Sequence, residues 1–304
     1  MNNVQSDIQV INSDGTVSIR ESLIIVFYIR KPNLEIVQNI ELSIRKFVDL
    51  VSINALPEYF NYDGDQEDLT EESLNELIYE RLIGPNRAPN GNIEIIGRGV
   101  HAPDYYLWYN GKSLEVPGMD DEVSFLWCWV PRSFFLTNFS QVIDYISNVA
   151  LELPFTFAYA SLGLVGENKY KKQGLANRFP GLDIAHPGCV SADLGNKAAG
   201  SYWLTLLGPE LYNLVGGAVA LRAELPEEIS IEELTDSKCR ILLNAQPEIG
   251  DTNRRDLLPM NKVLASFFHD KGLLHIPNRV IYFVDKYGMA DRVAMERWHQ
   301  RFLD

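Results

Sequence analysis

An α+β fold, with mixed, mainly antiparallel sheets flanked by amphipathic helices, is predicted by three features of the sequence. Strand-like and helix-like segments run strand, helix, acidic helix, three strands, helix, strand, without the regular alternation of a doubly wound parallel sheet. The stretch from Arg178 to Leu225 joins the densest turn punctuation in the chain to a succession that reads strand, helix, strand. A chain of 304 residues, 46% apolar and 11% aromatic, is long enough for one large domain or two modest ones and has ample material for a packed core.

Each element has its own signal. Val17 to Arg30 alternates and then becomes continuously apolar from Leu23 to Ile29, the pattern of a central strand entered from an exposed end. Lys31-Pro32-Asn33 breaks it, and Leu34 to Val51 places Ile36, Val37, Ile40, Ile44, Phe47, Val48 and Val51 at helical spacing. Asp68 to Glu72 reads as a helix start with acids in its first turn, and Leu74, Leu77, Ile78 and Leu82 as the inner face. Ile93 to Gly99, Tyr105 to Tyr109 and Val123 to Val130 read as strands, with Phe125, Trp127 and Trp129 on one face. A helix from Thr137 to Leu151 and a strand from Pro154 to Ala160 follow.

Within the stretch that anchors the fold, Pro180-Gly181, Pro187-Gly188 and the small residues Gly195 to Gly200 form connectors, and Tyr202 to Leu207 reads as a buried strand. Pro209 and Glu210 open a short helix that Gly216-Gly217 stops, after which Ala218 to Leu225 reads as a strand. Arg240 to Ala245 and Val280 to Val284 read as strands, Asp256 to Lys271 as a helix capped by Gly272, and Met289 to Leu303 as a closing helix. Any division into subdomains, 1–162 and 173–304, falls near Gly163 to Lys172.

Charge and cysteine content narrow the function. The 41 acidic residues against 27 basic ones give a formal charge of −14, which repels nucleic acid and anionic membranes and attracts a basic partner. Cys128, Cys189 and Cys239 lack paired spacing and fit buried, reduced thiols of a cytosolic protein. The first ten residues lack the charge and apolar run of a secretion signal, and Leu23 to Ile29 is far short of the about 20 residues a bilayer requires. A soluble, cytoplasmic protein is expected.

Two acidic tracts stand out. Phe47 to Glu80 holds no lysine or arginine and includes Asp63, Asp65, Glu67, Asp68, Glu71 and Glu72; a second tract holds Glu227, Glu228, Glu232 and Glu233. Charge runs are commonly solvated faces, but crowded like charges also suit docking of a basic partner. Asp63 to Asp68 looks like a calcium loop without the required spacing or final glutamate.

Enzyme signals are faint. The histidines His101, His186, His269, His275 and His299 are dispersed, and no metal site, cofactor motif or catalytic residue set is expected. Gly97-Arg98-Gly99 with Ala102 is a loose dinucleotide fingerprint followed by Pro103 where a helix should begin. Pro103-Asp104 with Glu167-Asn168-Lys169, or with Asp236-Ser237-Lys238, outlines a metal-dependent nuclease motif on connectors, in a chain of the wrong charge for DNA.

Val100 to Asp104 with Tyr105-Tyr106-Leu107, Arg178 to Ile184, Trp203-Leu204-Thr205 with Gly208, and Gly216-Gly217 leading to Leu221 together resemble the type VI secretion immunity family linked with effectors bearing a VRR-Nuc nuclease domain. The resemblance covers the chain from about Val17 to the last helix. It implies a non-enzymatic, antitoxin-like protein that neutralises a cognate effector, a VRR-Nuc or other restriction-endonuclease-like DNase, by occluding its DNA-binding or active site through an acidic surface; the charge and the absence of cofactor motifs lead to the expectation of no cofactor, nucleic-acid or membrane partner. The residues themselves leave two alternatives: an enzyme with an unrecognised carboxylate site, and a general acidic mimic of nucleic acid.

Overall fold

The computed structural model of the protein describes residues 7–115, 117–278 and 282–303. Its strands are β1 (Gln9–Ile11), β2 (Val17–Ile29), β3 (Glu58–Phe60), β4 (Gln66–Asp68), β5 (Gly91–Ile96), β6 (Tyr106–Gly111), β7 (Ser124–Pro131), β8 (Phe157–Gly166), β9 (Leu204–Leu207), β10 (Ser230–Thr235) and β11 (Lys238–Leu242). All eleven join one sheet in the order β10-β11-β9-β8-β2-β7-β6-β5-β3-β4, with β1 on the start of β2. The pairings are antiparallel, so the predicted α+β class holds, in a single sheet rather than several.

The sheet centre explains the long apolar run. From Leu23 to Tyr28, β2 pairs with β7 on one side and β8 on the other, and through Ile29 it is covered on both faces, so both sets of alternating side chains must be apolar. Leu23, Ile25, Phe27 and Ile29 face one core; Ile24, Val26 and Tyr28 face the other.

The first core is covered by α1 (Asn33–Val51), α2 (Glu71–Ile78), α3 (Arg132–Thr137) and α4 (Phe139–Glu152). Ile36, Ile40, Ile44, Phe47, Val48 and Val51 are buried along α1, as their spacing predicts. Thr70 caps α2 in a reciprocal box with Ser73, and Leu74, Leu77, Ile78 and Leu82 are all buried. The second core is covered by later elements: α5 (Lys169–Arg178), α6 (Pro187–Val190), α7 (Pro209–Leu214), α8 (Gly217–Glu224), α9 (Pro259–Asp270) and α10 (Arg292–His299).

Three expectations need correction. Ala218 to Leu225 is helical, not a strand, because Gly216 and Gly217 adopt left-handed φ of 86° and 74° and turn the chain directly into α8. Ala218 and Leu221 are then buried while Val219 is 79% exposed, a helical pattern that a short apolar run cannot reveal. The tract around Glu232 and Glu233, for which the sequence predicts no element, is a strand, β10, at the sheet edge. Of the strand expected from Val280 to Val284, Val280 and Ile281 lie outside the described residues, and Val284 makes an isolated bridge to Ala290. The closing helix spans only Arg292 to His299.

The residues that carry the family resemblance act as structural keys. Arg178 pairs with Asp251, the Pro180 carbonyl accepts from Arg301, and Asp183 is buried, accepting from Tyr159 Oη at 2.7 Å and the Ala185 amide at 2.9 Å. A Cβ at Gly208 would sit 1.7 Å from the Phe155 carbonyl oxygen, so only glycine lets β9 lie against β8. All three cysteines are buried, and burial pushes the Cys128 and Cys239 thiols up to about 12.

Candidate functional site

The two acidic tracts lie at opposite edges of the sheet. Nine strand spacings separate β10 from β4, and at about 4.8 Å each this is roughly 43 Å.

At the β4 edge, β3 and β4 form a hairpin whose turn is held by Asn61, with Oδ1 accepting from the amides of Asp63 and Asp65, each at 2.9 Å. Gly64 supplies the left-handed turn residue. Asp63, Asp65, Glu67, Asp68, Glu71 and Glu72 are all exposed. Glu67 accepts from Tyr59 Oη and Asn61 Nδ2, contacts that hold its carboxyl below the usual range and raise the Tyr59 phenol to about 12. Among the described residues, no lysine or arginine pairs with any of these six carboxylates.

The β10 edge is arranged differently. Glu232 pairs with Arg240 of β11; Glu233 pairs with Arg222 of α8 at 3.6 Å and accepts from Tyr212 Oη of α7 at 2.9 Å. Glu227 and Glu228 are exposed in the turn before the strand. Behind them, Lys238 extends its ammonium to the carbonyls of Ala150, Leu151 and Leu153 at 2.8, 3.0 and 2.9 Å, closing the C-terminal end of α4. Lys238 of Asp236-Ser237-Lys238 is thus part of the scaffold, while Asp236 is exposed.

Sequence reasoning missed a cavity of about 800 Å³ over β5, β6 and β7, lined also by residues of α5 and of the segment that leads into α6. Its floor is aromatic. Tyr106 and Trp129 stack with centroids 4.1 Å apart, Trp127 lies 5.0 Å from Trp129, and Trp108 completes the group. The rings converge because Tyr106 is opposite Trp129 and Trp108 opposite Trp127 in adjacent strands. The shared face of Trp127 and Trp129 was legible; their cross-strand partners were not.

The walls carry opposite charges. Glu58 and Glu94 stand on the side of β3 and β5, and burial raises the Glu94 carboxyl although Tyr106 Oη donates to it at 2.5 Å. Lys169 and Lys172 stand on the other side with the neutral His186, and Arg98 lies on the rim just after β5. Burial, reinforced by Lys169, lowers the Lys172 amine to about 8; burial, reinforced by Lys172 and Lys169, lowers the His186 imidazole to about 4. Trp129 Nε1 donates to the Pro103 carbonyl and Trp108 Nε1 to Asn92 Oδ1, whereas Trp127 Nε1 and His186 Nδ1 are buried without a partner among the described residues.

The loosely motif-like residues are dispersed around this cavity. Gly97, Arg98 and Gly99 form part of its rim as a loop, Asp104 is held by Arg20, and Glu167 pairs with His101 at 3.0 Å. Among the described residues no three histidine, cysteine, aspartate or glutamate side chains cluster as a metal site, and no helix is long and apolar enough to cross a membrane.

Comparison with known proteins agrees with this architecture. No curated protein matches the chain. A solved structure, the Pseudomonas aeruginosa T6SS protein PA0821, superposes with a TM-score of 0.78 at 18% identity, covering 97% of this chain and 87% of its own, a likeness of fold. The family model TsiV, described as type VI immunity for VRR-NUC, matches residues 98–302, more than half of the sequence. That match takes in the motifs that lock the scaffold, and the chain belongs to the TsiV family of type VI immunity proteins.

Proposed function

We propose that this protein binds the VRR-Nuc effector cognate to it and neutralises the nuclease, presenting carboxylates where the enzyme would hold DNA phosphates. The acidic surface at the β4 edge, Asp63, Asp65, Glu67, Asp68, Glu71 and Glu72, is the contact. The observation that carries this reading is the absence of a cationic partner for those six exposed carboxylates among the described residues. A nuclease that grips phosphates presents positive potential, and a surplus of exposed negative charge accelerates its encounter with an inhibitor. Glu227, Glu228, Glu232 and Glu233 form the lesser surface, since two of them are already neutralised within the chain. Inhibition is by complex formation, without turnover or cofactor, and belongs in the cytoplasm, where a DNase meets its substrate.

The test is binding to the cognate effector across a salt series, with Asp65, Glu67, Asp68 and Glu71 changed to Ser or Gln. Loss of on-rate and of salt dependence, together with loss of nuclease inhibition, is the expected outcome. Unchanged affinity and on-rate would leave these residues as a solvated face. Inhibition of unrelated DNA-binding enzymes with equal strength would instead make the protein a general nucleic-acid mimic.

A further inference from the structure

The acidic edge and the aromatic cavity are connected through the strand register. Asp68 is paired with Glu58, Glu58 with Ile96, Ile96 with Tyr106, and Tyr106 with Trp129, so one row of side chains on one face runs from the exposed edge to the cavity floor. A neighbouring row runs Glu94, Trp108, Trp127. Carboxylates therefore lead inward to aromatic faces.

Three features of the floor are unsatisfied. Glu94 is partly buried with one hydrogen bond, from Tyr106, and no cation pairs with it or with Glu58 among the described residues. Trp108 and Trp127, both only half-buried, line the cavity beside the buried Tyr106. Trp127 Nε1 is a buried donor without an acceptor. A cation beside a carboxylate and over an aromatic face satisfies the first two, and a main-chain carbonyl satisfies the third. Lys172 on the opposite wall repels a cation placed there and confines it to the carboxylate side.

We propose that this cavity is the anchoring site for the effector: a loop carrying an arginine or lysine enters past the β4 edge, sets its cationic head between Glu58 and Glu94 over the aromatic floor, and offers a carbonyl to Trp127 Nε1. The inference rests on the reading that the chain binds a nuclease effector. It assigns different work to the two regions. The edge carboxylates govern encounter, and the cavity governs residence, as buried aromatic pockets do at protein interfaces.

The experiment is stopped-flow and equilibrium binding of the cognate effector to wild type, to Glu58→Gln/Glu94→Gln and to Trp108→Ala, with tryptophan emission recorded on mixing. The expected result is a change of emission on binding and a dissociation rate raised about ten-fold or more in both variants, with the on-rate little altered. Gln at position 94 keeps an acceptor for Tyr106, so this variant decides the matter should Trp108→Ala fail to fold. Dissociation rates and emission that match wild type in folded Glu58→Gln/Glu94→Gln overturn the cavity assignment while leaving effector binding intact. Failure of wild type to bind overturns both readings. Loss of residence in the cavity variants with no effect of the edge variants overturns the edge surface alone and supports the cavity.

Discussion

At the β4 edge, the carboxylates of Asp63, Asp65, Asp68, Glu71 and Glu72 stand in solvent without a basic partner among the described residues, whereas at the β10 edge Arg240 holds Glu232 and Arg222 holds Glu233. Both edges are charged, and charge on an edge strand discourages another strand from adding to it. That property is shared and cannot distinguish them. The difference comes from cations supplied by neighbours in space: Arg240 on the next strand, Arg222 on the helix packed beside it. The potential around an acidic segment is therefore a tertiary property: among the described residues six exposed carboxylates at the β4 edge lack a cationic partner, against two, Glu227 and Glu228, in the acidic tract at the β10 edge.

The largest effect that would break this comparison is kinetic. Reversing Asp63, Asp65 and Asp68 to lysine is expected to slow effector association about ten-fold or more at low salt, while reversing Glu227 and Glu228 changes it less than about three-fold. Rapid-mixing measurements at several ionic strengths check this; equal effects at the two edges would erase the distinction.

Stability should show the reverse order. Lys238→Met removes three charge-assisted hydrogen bonds to the end of α4 and is expected to cost about 2–3 kcal/mol in urea unfolding. Arg240→Ala, which breaks a pair whose glutamate is largely exposed, should cost no more than about 1 kcal/mol. If both are neutral, the β10 edge is not the structural side of the molecule.

The pH dependence of folding is expected to arise at the cavity wall and the last helix rather than at the edges. His186 is held neutral down to about 4, and burial holds His299 well below its ordinary range. Between about 6.5 and 4 the unfolded chain binds protons that the folded chain refuses, so their contribution is complete above about 6.5 and falls on acidification. Replacing His186 with glutamine should flatten the drop in Tm between pH 6.5 and 5. A smaller effect belongs to Tyr59→Phe, which removes the bond that lowers the Glu67 carboxyl. Its modest destabilisation should be present at neutral pH and vanish as Glu67 is protonated, in parallel thermal melts at pH 7 and pH 3.

Much of the fold was legible because its signals are local. The apolar run from Leu23 to Ile29 marked the sheet centre, the spacing from Ile36 to Val51 marked α1, and Asp68 to Glu72, with acids in the first turn, marked the start of α2. Ala218 to Leu225 was misread because an eight-residue apolar stretch fits either period, and φ at Gly216 and Gly217 decided the outcome. The acidic residues were found, but their pairing was not, since Arg222 and Arg240 lie in other elements. The cavity was missed because its charged and aromatic walls come from segments as far apart as Glu58 and His186.

By itself the sequence determined the central apolar strand, the amphipathic helices α1, α2, α4 and α9, the excess of carboxylates and the glycine and proline positions that mark the family, because periodicity, turn chemistry and charge are properties of adjacent residues. Only the tertiary structure decided which carboxylates keep their charge uncompensated, and that the row beginning at Asp68 ends on the aromatic floor at Trp129. Those facts depend on strand order and register, which bring together residues that no local pattern connects.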